Sequence, residues 1–176
     1  MRSRNEVDVS SDPAPPSVAL VPRASETPNV WDDVRYQKLW LATQRREWRS
    51  LAVLGVSKSI DTLRIAELLA KLAWRYRGKP SCVFDLRDLS LRLVEYQQRE
   101  VRVQADSGVC VVIALRPPFE NPTAIPIARS ADATVLCIDL GVADVQTAEE
   151  TMAEVGRDHV VGAIVVRQRR AKSARR

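Results

Sequence analysis

The stretch Ser50-Leu-Ala-Val-Leu-Gly-Val-Ser-Lys-Ser-Ile-Asp-Thr62 decides how this chain reads. Residues 50–56 form a continuous apolar run, the pattern of a strand covered on both faces. A short turn carrying Lys58 and Ser59 follows, and then a helix opens. Strand, turn and helix, with Lys and Ser side by side in the turn, is the layout of a phosphate-binding loop. Such a loop needs several backbone N–H groups turned inward, and glycines permit that tight curve. Here Gly55 is the one glycine; it precedes the turn, none adjoins Lys58, and its spacing to Lys58 is too short. The motif in its full form is absent. Lys58 and Ser59 are the candidate phosphate contacts, set against a plain turn with both side chains in solvent.

Outward from this stretch, strands and helices alternate. Residues 60–76 carry Ile65, Leu68, Leu69, Leu72 and Tyr76 at helical steps. Asp61 or Ser59 can cap that helix, and Gly78-Lys79-Pro80 ends it. Strands are expected over 81–85, 109–114, 133–139 and 160–166, and helices over 122–130 and 144–155. The segment 89–108 is ambiguous: 89–99 suits a helix, whereas 101–105 alternates like an edge strand. Before the first strand, residues 31–43 carry a helical apolar stripe in which Trp31 and Trp40 read as packing anchors. Buried strands alternating with amphipathic helices predict a single α/β domain, a three-layer, doubly wound, mainly parallel sheet with right-handed crossovers. Ligands bind such sheets beyond the carboxyl ends of the strands, which directs attention to loops 55–62, 85–90, 114–122 and 139–143.

The chain has 176 residues, enough for one domain with a proper core. Residues 1–29 hold five of the ten prolines among Ser, Asp and Glu, a composition expected to stay disordered. The domain is expected to span 30–167, with a basic disordered tail over 168–176. The formal charge of +5 is concentrated at the C-terminus, in Arg167, Arg169, Arg170, Lys172, Arg175 and Arg176, which leaves the rest close to neutral. These six are the candidate contacts for acidic lipid, nucleic acid or an acidic partner, set against a solubilising end. Cys82, Cys110 and Cys137 lie in apolar runs with no metal-ligand spacing, so buried, reduced thiols are expected. No apolar run approaches the ~20 residues of a membrane helix. The expectation is a cytoplasmic protein, peripheral to a membrane only through a partner.

Two further places bear on chemistry. In ATPases of this layout an Asp at the end of the third strand of the frame orders magnesium and the attacking water. That place reads here as Ala114, in Ile113-Ala-Leu-Arg-Pro-Pro118. Asp85 and Asp88 are the carboxylates near the loop; with Lys58 they can form an internal ion pair in place of nucleotide, or stand in water as loop carboxylates. His159 has no triad around it, and Glu149 and Glu150 read as a solvated helix face.

The order of these pieces resembles the P-loop ATPases of the MinD/ParA group, and within it the cytoplasmic domain of the bacterial tyrosine kinases of polysaccharide export. The resemblance covers about residues 31–167. It rests on the strand and loop at 51–62, on Phe84-Asp-Leu-Arg87, on Pro117-Pro118, on Asp132-Ala-Thr-Val-Leu-Cys-Ile-Asp139 and on Val161-Gly-Ala-Ile-Val-Val166. It implies a nucleotide site at Lys58, Ser59 and Asp85. The departures are the missing loop glycines, Ala114, a short insert at 89–108 and the lack of a C-terminal tyrosine cluster, Tyr36, Tyr76 and Tyr96 all lying upstream. Together they imply a pseudo-enzyme without cofactor, acting on a protein partner: a related ATPase, or a membrane polysaccharide co-polymerase. Oligomerisation is implied by the resemblance alone. Two alternatives stay open: an active kinase or ATPase using ATP with magnesium, and a DNA-partition or polarity-type protein.

Overall fold

The structure, a computed structural model, describes residues 18–20, 34–140 and 145–166. The tail arginines and the segment 141–144 lie outside the described residues, as does most of the N-terminal arm. The elements run β1 (Val18–Leu20), α1 (Val34–Thr43), β2 (Ser50–Gly55), α2 (Thr62–Arg77), β3 (Ser81–Asp85), α3 (Val94–Asp106), β4 (Cys110–Leu115), α4 (Ala124–Ser130), β5 (Ala133–Asp139), α5 (Val145–Val155) and β6 (Val160–Val166). The sheet order is β1-β3-β4-β2-β5-β6. Five strands are parallel, and β1 adds antiparallel to β3 with Ala19 opposite Val83. The expected three-layer, doubly wound α/β architecture is therefore present.

Handedness explains the layers. From β2 the chain moves two places toward β1, and every later crossover moves the other way. Right-handed connections then require α2 on one face and α3, α4 and α5 on the opposite face. The two core clusters follow that division. Leu51, Val53, Val112, Ala114, Val135 and Cys137 pack with α1 and α2. Ala52, Leu54, Val111, Ile113, Leu115 and Leu136 pack with α3, α4 and α5. Neighbours along each strand alternate between clusters, as a strand's period of two demands. Because both faces are covered, the central strands read as unbroken apolar runs.

Two sequence expectations change. Residues 101–105 belong to α3 rather than to an edge strand. Val94, Gln97, Val101 and Ala105 recur at three- and four-residue steps and are buried, while Val103 points to solvent. The apparent alternation is one turn of helix seen from its side. Val18–Leu20, expected within a disordered arm, pairs as a strand; β3 leaves an open row of backbone groups there, and pairing satisfies them. Asp61, rather than Ser59, caps α2, its carboxylate accepting the Arg64 N–H at 3.3 Å; Gly78 ends the helix at φ +64°, a left-handed conformation suited to glycine.

The three cysteines are free and buried, as expected. Burial pushes the thiol of Cys137 up to about 12, and burial with the neighbouring Cys110 pushes Cys82 to about 11. Among the described residues no helix is long and apolar enough to cross a membrane.

At the amino end of the sheet, Asp132 ties β2 to the entry of β5. Its Oδ2 accepts the N–H groups of Arg49 at 2.8 Å and Ser50 at 2.9 Å, and its own N–H donates to the Ser50 hydroxyl at 2.9 Å. Burial raises its pKa, but these hydrogen bonds and the nearby Arg49 charge together lower it by more, so the carboxyl ends below its usual range. A carboxylate depressed on folding stabilises above its unfolded pKa and loses that contribution as pH falls through the folded value. Asp132→Asn is expected to lower stability by about 1 kcal/mol at neutral pH. The gap to wild type should close below about pH 4. Urea titrations at both pH values check this; an equal gap at both would refute it.

Candidate functional site

The β2 loop runs out to the α2 face, whereas the β4 loop runs out to the α4 face. Two adjacent parallel strands whose loops part in this way open a crevice at their carboxyl ends. A cleft of about 210 Å³ lies there, lined by Lys58, Ser59, Asp61, Thr62, Arg87, Arg116 and Glu120 among others. Small-molecule pockets generally span ~300–1,000 Å³, so this one is small for a nucleotide.

The loop is folded onto itself. The Val56 N–H continues the sheet to the Cys137 carbonyl at 3.0 Å. The Ile60 N–H then bonds the Ser57 carbonyl at 3.4 Å, and the Thr62 N–H bonds the Ile60 carbonyl at 3.1 Å. Two N–H groups at the start of α2 are thus taken by the loop's own carbonyls. The Thr62 hydroxyl donates to the Leu115 carbonyl at 2.9 Å, pinning the start of α2 to the end of β4. Gly55 permits this close approach. A Cβ there would meet the Ser57 carbonyl oxygen and the Thr62 Cγ2, each at 3.3 Å.

Beneath the loop lies a carboxylate whose role sequence reasoning missed. Asp139, at the end of β5, is buried, and its Oδ2 accepts the Ser59 hydroxyl at 2.8 Å. Ser59 and Ser57 share a further hydroxyl hydrogen bond at 2.8 Å. Oδ1 of Asp139 has no hydrogen-bond partner. Ser59 and Asp139 are 80 residues apart, so only the placement of β5 beside β2 brings them together.

The charged groups at the mouth pair with one another. Arg87 meets Asp85 through two hydrogen bonds of 2.8 and 2.9 Å, with Asp61 at 3.6 Å. The Arg87 bonds, outweighing the effect of burial, hold the Asp85 carboxyl below its ordinary range. Arg116 pairs with Asp88 at 2.8 Å and Glu120 at 3.6 Å. The amide nitrogen of Asn121 donates to the carbonyls of Arg87 and Leu89, each at 3.1 Å, clamping the β3 and β4 loops together.

Of the expected site residues, Lys58 and Ser59 line the cleft and Asp85 lies at the end of β3, paired with an arginine that lines it. The internal ion pair exists, but its cations are Arg87 and Arg116; exposed Lys58 makes none among the described residues. A guanidinium two residues along reaches back to its carboxylate with a fork that an ammonium lacks. At the end of β4, Ala114 packs in the cluster with α2 while the Leu115 carbonyl accepts the Thr62 hydroxyl; both residues are fully buried, and neither supplies a carboxylate. His159 is half-buried, its Nδ1 without a partner, and no nucleophile bonds it among the described residues.

ATP with magnesium does not fit these residues well. The Ile60 and Thr62 donors are bonded within the loop, β4 ends without a carboxylate, and Asp139 buries its side chain under the loop, bonded to Ser59. No family model matches the sequence, and no curated protein matches it. Among solved structures, the kinase domain of the Escherichia coli tyrosine kinase ETK superposes with a TM-score of 0.61 at 13% identity, covering 82% of this chain and 79% of that one. That likeness is one of fold: the α/β frame of this domain is arranged as in that kinase domain.

Proposed function

We propose that this chain is a catalytically degenerate P-loop domain that acts by binding a protein partner rather than by turning over nucleotide. The observation that carries the reading is the closed loop: the Ile60 and Thr62 N–H groups are bonded within it, above the buried Asp139 carboxylate. The Asp61–Arg87–Asp85 and Asp88–Arg116–Glu120 networks complete the case, because they fill the mouth with paired charge. No cofactor is required in this reading. The partner it favours is a related ATPase or a membrane polysaccharide co-polymerase, met in the cytoplasm or at the membrane surface. The resemblance of the sequence and the fold shared with a tyrosine kinase domain support that choice.

Thermal unfolding with magnesium and ATP tests it. A ligand at a hundred times its Kd stabilises a protein by about 2.7 kcal/mol. The expected result is no shift at millimolar magnesium and ATP, in wild type and in Lys58→Ala alike. A rise in Tm that Lys58→Ala removes would refute the reading and favour an active nucleotide site.

A further inference from the structure

Thirteen residues, 21–33, join β1 to α1, and the described residues at either end set the direction of that connection. β1 runs antiparallel to β3, with Val18 opposite Phe84 and Leu20 opposite Cys82, so the chain leaves Leu20 heading for Ser81 and Pro80. The ladder cannot continue there. Pro80 has no N–H, and its carbonyl already accepts the Cys110 N–H at 2.8 Å. Pro22, next in line to stand opposite, has no N–H either. The connection ends at α1, on the α2 face and at the far side of the sheet, where a Cβ on Gly162 of β6 would meet the Ala42 carbonyl at 3.3 Å. β1 and β6 are five strand spacings apart, roughly 24 Å. α2 stands between, over β3 and β4. Thirteen residues reach about 45 Å at full extension, enough to cross α2; the opposite face carries α3, α4 and α5 and leads away from α1.

A groove of about 450 Å³ lies on that path, at the C-terminus of α2, lined by Trp74, Arg75, Gly78 and Pro80 among the described residues. Its chemistry suits the connecting segment. Trp74 is half-buried and Pro80 exposed, an apolar pair of the kind on which proline-bearing chain packs, and the segment carries Pro22 and Pro28. Charge agrees. The outer surface of α2 and the turn after it expose Arg64, Lys71, Arg75 and Lys79 against Glu67, and none of these four cations has an ion pair among the described residues. The segment carries Glu26, Asp32 and Asp33 against Arg23. The level also agrees. α1 and α2 both run toward the amino end of the sheet, and Trp40 stacks on Tyr76 at 5.6 Å, so Val34 stands about level with residue 70. β1 itself calls for such a hold. Ordering three residues costs at least as much as their few hydrogen bonds return, so a strand this short keeps its place only when its flanks are tied down.

We propose that the groove and the outer face of α2 are the docking surface for residues 21–33 of this same chain. Pro22 enters the groove between Trp74 and Pro80, Glu26 passes Arg75, and Asp32 and Asp33 meet Lys71 just before α1 begins. The inference is independent of whether nucleotide binds.

Cleavage of the full chain by a glutamyl endopeptidase, read at the bond after Glu26, tests this. Proteolysis of a docked segment follows the fraction of time it spends undocked, so the bond should be cut roughly tenfold or more slowly in the chain than in a free peptide of residues 21–33. Trp74→Ala is expected to remove that protection, and so is Lys71→Glu combined with Arg75→Glu. The two charge reversals lie at exposed positions, and thermal unfolding verifies that the domain stays folded. Adding Asp32→Lys and Asp33→Lys to them should restore protection, because the signs then match again. Wild-type chain cut as fast as the free peptide would overturn the proposal. Protection that survives both the Trp74 and the α2 variants would overturn it as well. So would charge reversal that leaves protection intact and abolishes binding of a single-stranded oligonucleotide, a result that gives the α2 surface to nucleic acid instead.

Discussion

Trp48→Ala is expected to lower stability by about 3–5 kcal/mol, the cost of emptying a buried aromatic site. Trp48 sits in the loop before β2 with 2% of its surface exposed. Its indole N–H donates to the Thr43 carbonyl at 3.1 Å, its ring meets Trp40 edge-on at 6.1 Å, and the Arg77 guanidinium lies 4.2 Å from its centroid. Arg77 also donates to the Trp48 carbonyl and to the Gln44 side chain, so one arginine closes the C-terminus of α2 onto the α1–β2 loop. Removal of the ring leaves a cavity and deprives the cation of its cover. For a domain of this size the midpoint of thermal unfolding should fall by on the order of 10 °C. A calorimetric scan checks it, and a fall of only a degree or two would show that the Trp40–Trp48–Arg77 cluster is peripheral to the core.

Gly55→Val is the second large change, at about 1–3 kcal/mol or more from overpacking. The first added carbon meets backbone at Ser57 and a side chain at Thr62, and Pro117 closes the third side at 3.7 Å. The two methyl groups of valine have no free volume to enter. Relief would require the β2 loop to move off the β4 loop, breaking the Thr62 bond to Leu115. The urea midpoint should therefore drop, and an unchanged midpoint would mean that the loop is looser than its hydrogen bonds imply. Gly55 thus retains a packing role in a loop without the other phosphate-loop glycines.

Much of the fold was legible in the sequence because burial on both faces writes itself as unbroken apolar runs. β2, β4 and β5 are the clearest cases. α3 was legible only in part: Val101 and Val103 mimic a strand over so short a span, and it is packing onto β4 and α4 that sorts one inward and the other outward. Val18–Leu20 carries no signal of its own among prolines; its pairing depends on the open edge of β3, which is a property of the assembled sheet. The site divides in the same way. Lys58, Ser59 and Asp85 were found from local spacing. Asp139 was not, since its partner Ser59 stands in a loop 80 residues away. The pairing of Asp85 with Arg87 was open to inspection, two residues apart, but the competing cation Lys58 looked equally near until the loop's path was known.

The short strand β1 limits what the molecule can build. A sheet open at both sides invites each copy to add to the next, and such head-to-tail growth has no natural end. Here the β3 side is occupied by the chain's own residues, in register from Val18 with Phe84 to Leu20 with Cys82. A strand of three residues offers an incoming chain a ladder of only about 10 Å, so β1 covers the β3 edge and presents a poor template in its place. Their removal would expose the five-residue β3 in its place, a longer edge for another chain to pair with.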